Sequence, residues 1–123
     1  VSADADALRW HEEQQFPLLS WSSQARGFFT GRFSPEVRDN ADLVRVFYSD
    51  ENWTRLERAQ QLAQEKGVSA IQIALAYVLS QPFPACALIG ARNEAEMVSC
   101  RDGAKLVLTK QELAWLDLTG ATV

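Results

Sequence analysis

The sequence predicts an α/β fold in which helices outnumber strands. Two short apolar runs, at residues 16–20 and 85–89, are typical of buried parallel strands, because each is continuous and follows a helical pattern. Helical patterns with recognisable caps surround these runs, and strands that are separated by helices usually pair in parallel. We therefore expect one domain over residues 1–123, with two short parallel strands and about five helices.

The first part of the chain predicts one helix, one strand and a long connection. Residues 3–14 form a polar helical pattern, and the strand at 16–20 follows directly. A polar loop at 21–27 leaves the strand. Residues 30–52 show no sustained period and contain turn formers such as Pro35, which predicts an irregular segment. A connection of this length is more often functional or mobile than incidental.

Two consecutive helices follow this connection. Apolar residues recur at helical spacing from Trp53 to Ala63, Lys66 supplies a cation in the last turn, and Gly67 is suited to a left-handed cap. Ser69 and Gln72 have the spacing of a capping box, so the next helix begins almost at once. Its sequence, IQIALAYVLS, is apolar nearly all round, which indicates a helix that is covered on most faces.

The second strand and two further helices complete the pattern. Pro82 and Pro84 end the apolar helix and precede the strand at 85–89. Asn93 is placed to cap the following helix, and a capping box beginning at Thr109 starts the last one. An isolated parallel pair has two open edges. We expect the missing neighbours to come from a longer chain, from another copy of this chain by self-association, or from a refolded arrangement.

Composition excludes several classes of function. Twelve Lys and Arg against 16 Asp and Glu give a net charge of −4, the wrong sign for a nucleic-acid partner. No apolar run approaches the length of about 20 residues that a membrane helix requires, and the acidic N-terminal stretch does not resemble a secretory signal, so we expect a cytoplasmic protein. Cys86 and Cys100 lack the spacing of a metal site, and His11 is the only histidine, so no metal ligands are predicted.

The length also limits the architecture. A complete eight-stranded α/β barrel needs at least about 200 residues, so a chain of 123 residues can hold only part of one. The sequence begins with Val1 and contains Met97 as its only methionine. We therefore expect it to be a piece of a longer polypeptide.

Polar loops follow both predicted strands. The first contains hydroxyl, amide, guanidinium and glycine groups, and the second leads through Gly90 and Arg92 into a helix N-terminus, whose free N–H groups favour an anion. Together such loops can hold a diphosphate and a further phosphate; the alternative is a pair of solvated loops with surface arginines. Glu94 and Glu96 oppose the anion site, because they already complement the helix dipole.

Trp21 directly follows the first strand and has two interpretations. It is either an ordinary core aromatic or a flat surface for a planar heterocycle, for which aromatic stacking contributes about 0.5–1.5 kcal/mol beyond area burial.

Four segments of the sequence resemble a known family. In chain order they are WSSQARGFFTGR, AQEKGVSAIQIALAYVLSQ, ALIGARNEAEM and LTKQELAWLDL. Their order and spacing are similar to the C-terminal part of an aldo-keto reductase, and the resemblance covers about Leu8 to Leu118. It implies the last third or so of a TIM (β/α)8 barrel, with the two strands as the seventh and eighth and a C-terminal helix after them.

The resemblance implies a surface that binds NADP or NAD. Trp21 stands where the family usually has a tyrosine that stacks on the nicotinamide ring. The loop after it matches the segment that wraps the pyrophosphate, and the loop after the second strand matches the segment around the adenosine ribose and its 2′-phosphate. The candidate cofactor-binding residues are Trp21, Ser22, Gln24, Arg26, Gly27, Gly90, Ala91, Arg92, Asn93, Glu96 and Cys100.

Some positions depart from the family pattern. Glu96 stands where many members have Gln or Arg, and Ser99 and Cys100 replace a common Glu-Asn pair. A glutamate can accept hydrogen bonds from a free ribose diol, which leaves the choice between NADP and NAD open.

The family's catalytic tetrad of Tyr, Asp, Lys and His comes from earlier strands, and no residue of this chain matches it. Tyr48, Tyr77 and His11 lie outside the two polar loops, so we predict no catalytic residue. The resemblance thus implies the cofactor side of an NAD(P)H-dependent oxidoreductase that reduces a carbonyl to an alcohol in the intact protein and is inactive alone. The alternative is a non-catalytic barrel remnant that serves as a nucleotide-binding or protein-interaction module.

Overall fold

The computed structural model describes residues 4–119, which form two parallel strands, six α-helices and one 3₁₀ helix. In chain order the elements are α1 (Ala5–Gln14), β1 (Leu18–Ser20), the 3₁₀ helix (Ala25–Thr30), α2 (Ala41–Phe47), α3 (Asp50–Lys66), α4 (Ala70–Leu79), β2 (Ala85–Ala87), α5 (Glu94–Gly103) and α6 (Lys110–Leu116). Among these residues, no helix combines the length and apolarity needed to cross a membrane.

The two strands pair in parallel, as predicted. Leu18 lies opposite Ala85, and the next two residues of each strand pair in the same register. The strands are shorter than the predicted runs of 16–20 and 85–89. Pro17 has no N–H to donate to the ladder, and at the other end the chain turns away from β2 at Ser22, where φ is 56°.

The segment predicted to be irregular contains a helix, so the prediction of about five helices was too low. The side chain of Asn40 accepts a hydrogen bond from the N–H of Leu43 and caps α2. Leu43 is the only buried residue of this seven-residue helix, which is too short to show an apolar period. Ser49 caps α3 through the N–H of Asn52, so that helix begins earlier than the predicted Trp53.

The other predicted helix ends are confirmed. Gly67 has a left-handed backbone with φ 67° and ends α3. Capping boxes begin α4 at Ser69 and α6 at Thr109. The side chain of Asn93 accepts from the N–H of Glu96 and caps α5.

Helices α3, α4 and α6 enclose the main core. Its buried members are Ala59, Leu62, Ala63, Ile73, Ala76, Leu108, Trp115 and Leu116. Lys66 at the end of α3 forms an ion pair of 2.7 Å with Glu112 in the first turn of α6. Burial alone would raise the pKa of Glu112, but hydrogen bonds from Lys66 and Thr109 lower it overall. This ion pair therefore links two helix ends at the edge of the core.

A second cluster supports the 3₁₀ helix. The Phe28 ring is fully buried, and its centroid lies 4.8 Å from that of Trp53 in α3. Phe47 and Tyr48 pack around the same ring. Phe28 comes directly after Gly27, the last residue of the loop that follows β1. The cluster therefore fixes the end of that loop.

One face of the sheet is open in the part of the chain that the structure describes. Leu19 and Cys86, which pair across the ladder, are both exposed, Leu19 by 64%. Their neighbours along each strand are half-buried, and α4 contacts β2. The described residues therefore cover this parallel pair incompletely.

Candidate functional site

The loops that follow β1 and β2 form the two walls of an open groove of about 630 Å³. Both loops leave the carboxyl ends of parallel strands, where they meet at one edge of the sheet. The predicted residues that line the groove are Trp21, Ser22, Gln24, Arg26, Gly27, Gly90, Ala91, Arg92, Glu96 and Cys100. Asn93 does not line the groove, because its side chain caps α5.

An unusual run of backbone conformations shapes the first loop. Ala25, Arg26 and Gly27 are all left-handed, with φ of 50°, 52° and 85°. A left-handed conformation costs a non-glycine residue roughly 1–2 kcal/mol, and such strain collects at functional sites. The turn is closed by the N–H of Ala25, which donates to the Ser22 carbonyl at 2.7 Å.

Three side-chain hydrogen bonds anchor this loop. The buried hydroxyl of Ser23 donates to the Leu88 carbonyl at 3.0 Å and so joins the two walls. Gln24 donates from its amide to the Ile71 carbonyl of α4 at 3.4 Å, and its amide oxygen accepts from the Cys100 thiol at 3.6 Å. Two predicted binding residues, Gln24 and Cys100, thus also hold the groove together.

Trp21 is not a core aromatic. Its side chain is 72% exposed at the mouth of the groove, which excludes the first of the two interpretations of this residue. The Arg26 guanidinium lies 5.4 Å from the centre of the Trp21 ring, within the range of a cation–π contact. The left-handed turn brings this cation back beside the ring.

Arg92 and Glu96 form a close pair on the opposite wall. The guanidinium donates from Nη2 to Glu96 Oε1 at 2.7 Å and from Nε to the same oxygen at 3.1 Å. The backbone N–H of Arg92 donates to Oε2 at 2.8 Å. Hydrogen bonding to Arg92 lowers the pKa of Glu96, and the same contact raises the pKa of Arg92.

The sequence of residues 4–119 matches the model of the aldo/keto reductase family. The chain belongs to this family. It is 28% identical over 109 residues to versiconal hemiacetal acetate reductase of Aspergillus parasiticus and 30% identical over 117 residues to norsolorinic acid reductase A of the same species. It is 24% identical over 105 residues to a putative voltage-gated potassium channel subunit beta of Schizosaccharomyces pombe.

The aldo/keto reductase chain spans about a third of the length of these relatives. The three matches cover 81%, 93% and 77% of this chain, but 31%, 29% and 30% of the respective relatives. The match to the family model over residues 4–119 confirms the family that the sequence predicts.

The groove of this aldo/keto reductase chain is basic although the chain is acidic overall. Arg26, Arg32 and Arg92 line it together with a single carboxylate, that of Glu96, among the described residues. The chain as a whole has a net charge of −4. A cleft that is lined by charges of one sign concentrates ligands of the opposite charge, so the groove favours an anion.

Several groove residues were not among the predicted set. They are Ser23, Thr30, Arg32, Ile71, Leu88, Ile89 and Ser99. Gly31, with φ 76°, reverses the chain after the 3₁₀ helix and returns Arg32 to the groove, where its Nε donates to Thr30 Oγ1 at 3.2 Å. The Gly-Arg pair that ends the WSSQARGFFTGR segment is a signal from which Arg32 could have been found.

The two tyrosines and the histidine that were considered as proton donors do not line the groove. The Tyr48 hydroxyl donates to the Val37 carbonyl, and the Tyr77 hydroxyl donates to the Asp117 carboxylate. His11 Nδ1 contacts the Phe16 carbonyl at 2.9 Å. Within residues 4–119, no group of three or more His, Cys, Asp or Glu residues is arranged to hold a metal ion.

Proposed function

We propose that the groove binds a nicotinamide dinucleotide and that the chain is the cofactor-side portion of an NAD(P)H-dependent oxidoreductase, which reduces a carbonyl to an alcohol in the intact protein. The observation that carries the proposal is the exposed Trp21 ring, which lies beside a basic groove at the carboxyl ends of two parallel strands. Two of the similar proteins are named as reductases, which agrees with this activity.

The groups in the groove fit such a cofactor. A volume of about 630 Å³ lies within the usual range of small-molecule sites, about 300–1,000 Å³. Trp21 offers an aromatic face for a planar ring, and Arg26 and Arg32 supply positive charge for a pyrophosphate. No atom lies within 4 Å of the position that a Cβ on Gly90 would take, so the backbone there is open to a ligand.

When bound, the cofactor supplies the hydride, and the residues of this chain bind and orient it. Trp21 would cover one face of the ring and exclude water from it, while Arg26 and Arg32 would neutralise the charge of the phosphates. A general acid must lie within hydrogen-bond reach of the proton that it donates. None of Tyr48, Tyr77 and His11 lines the groove, so we expect the isolated chain to be inactive as a reductase.

Titration calorimetry of the 123-residue chain with NADH and NADPH tests the binding. We expect saturable binding, and a Trp21→Ala variant that binds about 2- to 10-fold more weakly, since stacking contributes about 0.5–1.5 kcal/mol. Trp10→Ala is the matched control, because Trp10 is 50% exposed and does not line the groove. Absence of heat with either nucleotide at millimolar concentration would contradict the proposal.

A turnover assay tests the expected inactivity. The chain alone is incubated with NADPH and a panel of aldehydes and ketones, and NADPH oxidation is followed by absorbance. Turnover at the rate of a complete reductase would show that a proton donor lies within this chain.

The open sheet face favours a second candidate, a non-catalytic interaction module. Leu19, Leu88 and Ile89 are exposed large apolar side chains on or beside the strands, and one similar protein is named as a putative channel subunit. In this case the strands are buried by self-association or by the rest of a barrel. Light scattering that shows a folded monomer, with rapid amide exchange at Leu19 and Leu88, would contradict self-association.

A further inference from the structure

One face of the two-stranded sheet is a continuous apolar stripe, which we call the open face. Hydrogen bonds of 2.9 Å from Leu18 to Pro84 and from Leu88 to Ser20 extend the ladder beyond the two strands. Because side chains alternate along a strand, five exposed residues share one side of this ladder. They are Pro17, Leu19, Pro84, Cys86 and Leu88. The alternate residues of both strands are half-buried on the side of the helices.

The open face is uncharged. The chain has a net charge of −4, yet all five residues of the open face are proline, leucine or cysteine. In a two-fold pair, the same surface patch of each copy meets its counterpart, so a charge near the axis would face a like charge. A face without charges avoids this repulsion, and two copies of it are complementary to each other.

The chain also exposes more surface than a folded monomer of its mass. Its accessible area is 7891 Å², whereas a monomeric protein of 13.7 kDa exposes about 6,600 Å². The excess of about 1,300 Å² exceeds the area of about 800 Å² that each partner buries in a standard interface. Two copies that bury this excess together remove about 2,600 Å², which lies in the range of obligate homodimers.

We propose that the partner of the open face is a second copy of this chain, packed sheet against sheet around a two-fold axis. Leu19 and Cys86 pair in the middle of the ladder, so the axis passes close to them. Sheets that pack in this way lie about 10 Å apart, and their facing side chains exclude water. The proposal rests on the second candidate function, the interaction module, and names its partner; it does not depend on nucleotide binding.

Light scattering of the full chain after size-exclusion chromatography, from micromolar to millimolar concentration, tests the association. We expect a dimer, and a Leu19→Lys variant whose dimer dissociation constant is at least about tenfold higher, because it buries an unpaired charge. Leu19 is 64% exposed within one chain, so the variant should fold, as circular dichroism can verify. Val107→Lys is the matched control, since Val107 is 79% exposed and lies between α5 and α6.

Chemical cross-linking tests the position of the axis without altering the fold. Cys86 is exposed and Cys100 is buried, so a short reagent with two maleimide groups reacts with Cys86. We expect it to join two unaltered chains covalently and to leave a Cys86→Ser variant as single chains. Equal cross-linking of both proteins would place the contact elsewhere and overturn the proposal.

The remaining outcomes separate this proposal from the proposed function. A folded monomer at every concentration overturns self-association, and equal association of the unaltered chain and a folded Leu19→Lys variant shows a contact outside the open face. Either result leaves nucleotide binding, measured by calorimetry, as it stands. Conversely, a dimer that binds neither NADH nor NADPH supports this proposal and contradicts the nucleotide site.

Discussion

Phe28 provides a direct test of how the loop after β1 is held. Its ring is fully buried, and its centroid lies between 4.8 and 6.2 Å from the ring centroids of Trp53, Phe29, Tyr48 and Phe47. Truncation of such a residue to alanine costs about 3–5 kcal/mol, because the loss of burial and the cavity add together. A domain of this size has a total stability of about 5–15 kcal/mol, so Phe28→Ala removes a large part of it.

The milder variant Phe28→Leu keeps the chain folded for measurement. We expect it to lower the free energy of unfolding by about 1.5 kcal/mol. At about 4 °C per kcal/mol, this loss lowers Tm by about 6 °C. Thermal and urea unfolding followed by circular dichroism measure this loss. Because Phe28 anchors the left-handed turn, the variant should also weaken binding of NADH.

Phe16→Leu is the matched control for this experiment. The Phe16 side chain is 54% exposed and does not line the groove, so the same substitution should change stability by no more than about 0.5 kcal/mol. Equal Tm shifts in the two variants would refute the packing of Phe28. A large shift without weaker NADH binding would refute its role as the anchor of the loop.

Four further substitutions test separate features of the fold. Ser23→Ala leaves the Leu88 carbonyl without its donor. It should lower the free energy of unfolding, measured with urea, by about 1–3 kcal/mol. Glu112→Gln should lower stability at pH 7. The folded pKa of Glu112 lies below its ordinary value of 4.5, so the carboxylate stabilises the fold above that pH, and the difference between the variant and the unaltered chain should shrink as pH falls below about 4.5. Gly27→Ala should cost about 1–2 kcal/mol because φ is 85°, whereas Gly90→Ala should leave Tm unchanged, since a Cβ there meets open space.

Local signals were sufficient where a helix end depends on a few neighbouring residues. Gly67, Ser69 and Thr109 mark helix ends through caps that involve only nearby backbone groups. Helix α2 was missed because it has one buried residue, Leu43, and therefore no period. The Ser49 cap was missed because the apolar spacing of α3 becomes visible only from Trp53 onward.

Most of the residues that line the groove could be named from the sequence, but their contacts could not. The polar loops after the two strands and the family resemblance together pointed to them, since the carboxyl ends of parallel strands meet. The left-handed backbone at Ala25 and Arg26 was not predictable, because these residue types rarely adopt it. Tertiary contacts impose it, through the Ser23 hydrogen bond and the burial of Phe28.

The hydrogen bond from Ser23 to Leu88 joins residues that are 65 positions apart in the chain. The groove therefore exists only when β1, α4 and β2 have assembled, and the unfolded chain has no equivalent site. A ligand that binds only the folded state raises the free energy of unfolding by about 2.7 kcal/mol at a concentration of 100 times its Kd. Folding and ligand binding are thus coupled equilibria, and the folded fraction of the chain rises with the concentration of ligand.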